Sequence, residues 1–194
     1  MIQEIKWRWA AIGVFAILQG CALQPENIRI DPTIELPKSL VAGANRIGVA
    51  ASDARAMKKL GEVGDPNREM FDVSVNEDPS PAIYSRVSNA LGKLGYKVAP
   101  YAEGMEPSLK IEVETLKLDS DKRAFDFLTT LHAEVTAHAR NGQESLDKTY
   151  IVDQSMNTAG PAYSSDTTRL VNTAVSTALQ DMLADQKLLD VLNK

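Results

Sequence analysis

Residues 125–140, FDFLTTLHAEVTAHAR, alternate with a period of two along their whole length. The odd positions are Phe125, Phe127, Thr129, Leu131, Ala133, Val135, Ala137 and Ala139. The even positions are Asp126, Leu128, Thr130, His132, Glu134, Thr136, His138 and Arg140, mostly polar. Successive side chains of a strand point to opposite faces, so this run makes one dry face and one wet face. That is the mark of an antiparallel sheet with water on one side. Asn141-Gly142 follows as a hairpin turn signal, and Tyr150 and Val152 share one face of the returning strand.

The rest of the chain supplies partners for that hairpin. Leu109, Ile111 and Val113 alternate with Lys110, Glu112 and Glu114; the parity slips at Leu116, which predicts a bulge or the strand end. Ile47, Val49 and Ala51 read as a buried strand. Residues 57–63 and 69–75 flank Gly64-Asp65-Pro66-Asn67 and predict a second hairpin, with Phe71, Val73 and Val75 toward the core. Ser80 and Pro81 open a helix whose apolar positions are Ile83, Val87, Leu91 and Leu94, and Gly95 ends it before a strand at Tyr96 and Val98. A terminal helix starts near Ser164 to Asp166, with a stripe from Leu170 to Met182 and a further turn or two through Leu188, Leu189 and Leu192.

Near the start, Pro25, Pro32 and Pro37 forbid a helix, while Ile28, Ile30, Ile34 and Leu36 share one parity. Residues 21–44 therefore read as a tether and an edge strand, and residues 45–194 as the domain. The expected fold class is α+β: a single domain, its antiparallel or mixed sheet carrying two main helices on one face, preceded by a cleaved signal peptide.

That signal occupies residues 1–20. Lys6 and Arg8 precede an apolar stretch from Trp9 to Leu18. About ten residues suit a signal-peptide core, whereas a membrane-spanning helix needs roughly twenty. Leu18-Gln19-Gly20-Cys21 resembles a bacterial lipobox, with Gln19 larger than usual in its slot. The resemblance implies cleavage between Gly20 and Cys21, a diacylglyceryl thioether on the Cys21 sulfur, and acylation of the new amino group. Cys21 is the sole cysteine, so no internal disulfide is possible. Ala22 stands where an aspartate would favour inner-membrane retention, which implies the inner leaflet of the outer membrane. Without residues 1–20 the formal charge is −6, which argues against a general nucleic-acid or anionic-lipid surface.

Candidate chemistry is sparse. His132, Glu134 and His138 invite a metal reading, but the histidines are six residues apart on a strand, about 20 Å, too far to share one ion. No Gly-x-Ser-x-Gly or phosphate loop is present, and Glu112 and Glu114 sit among solvated strand positions. Asp53-Ala54-Arg55 follows a buried strand; the pair either closes a turn or offers a ligand or partner contact. No catalytic residue, metal or cofactor is expected.

Several of these stretches together resemble the YajG family of proteobacterial outer-membrane lipoproteins. The matching features are the lipobox, IRIDPTIELP at 28–37, GVAASDAR at 48–55 and the helix leading into LGYKV at 94–98. The long alternating strands and amphipathic terminal helix follow in the same order. The resemblance implies location and fold but no reaction. The leading expectation is a non-enzymatic, periplasm-facing lipoprotein that binds or scaffolds another envelope protein. Its partners would be the membrane, through the lipid on Cys21, and that envelope protein, with no nucleic acid. A second expectation is a carrier of a lipid or muropeptide, with a pocket between helices and sheet. A third is an enzyme joining His132 or His138 to a carboxylate from another strand.

Overall fold

The computed structural model describes residues 25–36 and 45–194. In chain order the elements are β1 (Glu26–Asn27), β2 (Arg46–Asp53), β3 (Lys59–Asp65), β4 (Glu69–Ser74), α1 (Ser80–Lys93), β5 (Lys97–Pro100), β6 (Ser108–Lys122), β7 (Phe127–Asn141), β8 (Glu144–Thr158), α2 (Ser164–Ala184) and α3 (Gln186–Asn193). The fold is the expected α+β domain, with a mixed sheet.

The three 15-residue strands β6, β7 and β8 form an antiparallel meander. The other edge of β6 is shared. Its first half pairs in parallel with β2, from Gly48↔Ser108 to Asp53↔Val113, and its second half meets β3 at Gly61↔Leu118. Beyond β2 lies β5; beyond β3 lie β4 and then β1. One end of the meander therefore gathers the β6–β7 turn, the β3–β4 turn and the exit from β8. The opposite end carries the β7–β8 turn, where Gly142 adopts φ 62° at the first turn position.

Alternation along β7 holds from Phe127: Phe127, Thr129, Leu131, Ala133, Val135, Ala137 and Ala139 are buried, and only Thr136 of the wet face is buried with them. Phe125, expected on the dry face, falls in the turn before the strand and is exposed. The parity slip in β6 is a bulge rather than an end. Val113 opposes Val135 and Thr115 opposes Glu134, so Glu114 is the extra residue. The bulge returns Leu116 and Leu118 to the dry face, where both are buried. Against that face α1 packs on β2 and β5, while α2 and α3 pack on β7 and β8. Ile83, Val87 and Leu91 of α1 and Leu170, Val175, Leu179 and Met182 of α2 fill the layer between, together with Leu188 and Leu192 of α3.

Two helix boundaries differ from expectation. Ser80 is the first helical residue of α1 and not its cap; the Asp78 carboxylate accepts from the Ser80 N–H and hydroxyl instead. The terminal helix breaks at Asp185, which caps α3 by accepting from the Lys187 N–H.

The expected edge strand is only two residues long. Glu26 and Asn27 pair in parallel with Val73 and Ser74, and the Ile28 N–H reaches the Ser74 carbonyl. There β4 ends, and α2 takes over as partner. The Asp31 N–H donates to Asn172 Oδ1 at 2.7 Å and the Thr33 N–H to Ser176 Oγ at 2.9 Å. In return, Asn172 Nδ2 donates to the Arg29 carbonyl and Gln180 Nε2 to the Thr33 carbonyl. Asn172, Ser176 and Gln180 recur every four residues, one per helical turn, and stand in for a neighbouring strand. Ile28, Ile30 and Pro32 point inward along this strap.

Candidate functional site

The face of β6, β7 and β8 turned away from the helices is the wet face, and it holds both histidines. His132 Nδ1 lies 2.7 Å from Asp153 Oδ1 of β8, and its Nε2 lies 3.1 Å from Glu134 Oε1. The bulge sets Thr115 beside Glu134, and the Thr115 hydroxyl donates to Glu134 Oε2. The hydrogen bond to Asp153, then that to Glu134, raises the His132 pKa above its usual 6.5. The Thr115 hydroxyl and then His132 in turn lower Glu134.

Six residues on, His138 Nδ1 lies 2.6 Å from Asp147 Oδ1, and its Nε2 is 3.7 Å from Glu112. His138 and then Arg140 hold the Asp147 carboxyl below its ordinary range. The residues between 101 and 107 overhang this end of the face and enclose a cleft of about 340 Å³, lined by Tyr101, Met105, Lys110, Glu112, His138 and Arg140. Lys110 Nζ stands 4.3 Å from the centre of the Tyr101 ring. The two histidine clusters are thus separate, each tied to a carboxylate of the neighbouring strand. Among the described residues no group of three or more His, Cys, Asp or Glu side chains is arranged to hold a metal ion.

The Asp53–Arg55 pair lies on the other side of the sheet. Arg55 Nε and Nη2 donate to the two Asp53 oxygens at 2.7 and 2.9 Å. Their side chains are 2% and 4% exposed. The pair closes the turn after β2: the Arg55 N–H also reaches Asp53 Oδ1, Nη2 reaches the Val75 carbonyl, and Lys58 caps the carboxylate from outside. Burial works to raise the Asp53 carboxyl, but the hydrogen bonds from Arg55 and Lys58 hold it at about 2. Of the two roles open in the sequence, the geometry is that of a turn closure withdrawn from solvent. Gly20 and Cys21 lie outside the described residues.

Two features were not read from the sequence. Asp185 joins α2, α3 and β8, accepting from the Tyr150 hydroxyl at 3.0 Å and from Lys148 Nζ. Burial raises the Asp185 carboxyl, yet the bonds from Lys148 and Tyr150 bring it below its ordinary range. Burial, then this bond, pushes the Tyr150 hydroxyl well up. The other feature is the outer edge of β8. This strand pairs with β7 alone, so among the described residues its second edge is open for 15 residues. Its wet-face positions Asp147, Thr149, Ile151 and Asp153 alternate against Lys148, Tyr150 and Val152; that period was legible, but which strand would stand at the edge was not.

Fold and site together define a single-domain α+β protein with a mixed sheet whose β8 edge is open among the described residues. The chain belongs to a family of uncharacterized lipoproteins, whose model matches residues 32–193. No match was found among curated proteins. Among solved structures, an uncharacterized protein is similar at 8% identity and TM-score 0.45, over 81% of this chain and 96% of its own. A putative neuraminyllactose-binding hemagglutinin homolog from Helicobacter pylori is similar at 8% identity and TM-score 0.40, over 81% of this chain and 92% of its own. Lipoprotein GNA1162 from Neisseria meningitidis is similar at 14% identity and TM-score 0.32, over 74% of this chain and 100% of its own.

Proposed function

We propose that this chain is an outer-membrane lipoprotein of the YajG type, cleaved after Gly20, acylated on Cys21 and facing the periplasm. In this reading it performs no catalysis and binds an extended segment of another envelope protein. The lipobox and the family's lipoprotein character support the anchor. The observation behind the binding role is the open edge of β8. An unpaired edge presents a row of backbone donors and acceptors that an incoming strand can complete, and alternate side chains then set specificity. Ile151, 58% exposed on the wet face beside that edge, offers an apolar contact for such a segment. The space where a lipid or muropeptide carrier would need its pocket, between helices and sheet, is filled by Leu131, Val135, Leu179 and Met182.

Site-specific photo-crosslinking in intact cells tests the role. A crosslinker at Ile151 is expected to give one discrete adduct with an envelope protein. The same group at Lys117, on the wet face of the interior strand β6, is expected to give none. Equal adducts from both positions, or an Ile151 adduct undiminished in Cys21→Ala, would defeat the proposal. Labelled fatty acid entering wild type but not Cys21→Ala tests the anchor separately.

A further inference from the structure

We infer that the end of the sheet bearing the β6–β7 turn rests in the bilayer interface, with Phe125 and Tyr163 inserted among the lipids. The inference rests on the acylated Cys21 proposed above.

Chain reach singles out this end. Glu26 pairs with Val73, which lies opposite Gly61, and Gly61 pairs with Leu118. Glu26 is therefore level with Leu118, four residues short of Lys122, the end of β6: about 13 Å along the strand. Because β1 runs parallel to β4, its N-terminal end points toward the β6–β7 turn. Cys21 is five residue steps from Glu26, at most about 17 Å. An acylated Cys21 can therefore extend only about 4 Å beyond that end of the sheet. The opposite end, with Gly142, stands about 50 Å away along the strands and is out of reach of the same lipid.

The end so placed is built for an interface. Phe125, in the turn between β6 and β7, is 96% exposed, and Tyr163, just before α2, is 62% exposed. Tyr163 adjoins the root of the tether: its carbonyl accepts from the Thr167 hydroxyl, and Thr167 lies beside the Glu26 carboxyl at the start of β1. Aromatic rings of this kind favour the boundary between headgroups and acyl chains. Lys122 is neutralised by Asp65 at 2.6 Å and Arg169 by Asp166 at 2.8 Å, while Arg68 and Arg123 stay exposed on the same turns. Glu69 and Asp121 are exposed beside them, so this end carries no surplus of positive charge and the contact rests on the two aromatic rings. This suits a chain of negative net charge, which a general electrostatic attraction would not hold to a membrane.

The test uses a single tryptophan. Both tryptophans, Trp7 and Trp9, precede Gly20, so the processed protein has none. Full-length protein carrying Phe125→Trp or Gln143→Trp is purified from membranes with its native N-terminus and reconstituted into phosphatidylethanolamine–phosphatidylglycerol vesicles. Both sites are exposed, so neither substitution disturbs the core. Tryptophan at 125 is expected to emit at shorter wavelength and to lose most of its intensity to acyl-chain-brominated lipids. Tryptophan at 143 is expected to keep its solvent emission. Vesicle-bound, processed protein whose position 125 is neither shifted nor quenched overturns the seating and leaves the anchor standing, as does equal quenching at both sites. Mass spectrometry finding residues 1–20 retained and a free thiol overturns the anchor, and the seating with it.

Discussion

Replacing Asp53 by asparagine should be among the most damaging single changes in this domain. The carboxylate is 4% exposed and receives both forks of a guanidinium that is itself 2% exposed. Its pKa falls from 3.8 to about 2 on folding, which corresponds to about 2 kcal/mol of stability at neutral pH. The substitution forfeits that and also strands Arg55, whose Nη1 already lacks a partner. Leaving one member of a buried pair uncompensated costs about 3–5 kcal/mol. The asparagine amide would retain one acceptor for Nε, so the lower part of that range, about 3 kcal/mol, is expected. Adding Arg55→Met should recover much of the loss, because the stranded charge is then gone, and the two changes should couple by about 2 kcal/mol. Lys58→Met removes a half-exposed partner and should cost under about 1 kcal/mol. Urea unfolding of the four proteins at neutral pH measures all of this. The acid limb supplies a second readout. A lowered pKa contributes stability that is complete above the unfolded value and disappears as pH falls toward the folded one. Wild type should therefore lose stability between pH 3.8 and about 2 more steeply than Asp53→Asn. Asp53→Asn within about 1 kcal/mol of wild type, with an unchanged acid limb, would refute the claim that this pair is dry and coupled.

Gly61→Ala places a Cβ 1.9 Å from the Leu118 carbonyl oxygen, so β3 must part from β6; a loss of about 3 kcal/mol or more in thermal or urea unfolding is expected. Asn172→Ala removes the hydrogen bonds to Asp31 and Arg29; it should cost about 1–2 kcal/mol and speed amide exchange at Asp31 and Thr33 relative to β7. An NMR titration should find His132 above 6.5 and Asp153→Asn should bring it down. Since its folded pKa is raised, the stability His132 contributes is complete below about 6.5 and is lost as pH climbs through the folded value.

What the sequence disclosed followed from how local each cause was. Strand β7 was legible because a one-sided sheet writes its burial as alternation, from Phe127 to Ala139 broken only where Thr136 is also buried. The slip at Leu116 was visible too, but whether β6 stopped or bulged depended on β7 continuing opposite it as far as Phe127↔Lys122. The isoleucines of the strap showed their parity and not their partner, since a helix offering Asn172, Ser176 and Gln180 in place of a strand leaves no mark on residues 28–36. Ser80 looked like a cap because Ser-Pro fits that role, yet Asp78, two residues earlier, accepts a stronger charge-assisted bond from its N–H. Asp53 and Arg55 were picked out as a pair, while their depth came from the crossing of residues 74–78, remote in sequence. The free edge of β8 could not be read at all, because strand order is a property of the assembled sheet.

The proposed anchor, seating and binding edge constrain one another through a single geometric fact, the antiparallel run of β6, β7 and β8. In the proposed seating, with the Phe125 turn in the interface, the long strands stand away from the membrane and the edge of β8 becomes a vertical rail about 50 Å tall. An incoming strand would then lie along the membrane normal, as befits a partner that itself rises from the bilayer or descends toward it. The cleft by Tyr101 and His138 sits at the far end of the same face, as distant from the lipid as this domain allows. A ligand there would have to come from the aqueous side, and its polar lining of Lys110, Glu112, His138 and Arg140 suits a charged solute better than an acyl chain. In the proposed seating this division follows from chain reach: five residue steps span at most about 17 Å, too little for the domain to roll over and bring the cleft to the membrane. Lengthening the segment before Glu26 should therefore loosen the orientation without touching the fold, leaving the unfolding curve unchanged while the quenching of tryptophan at position 125 falls.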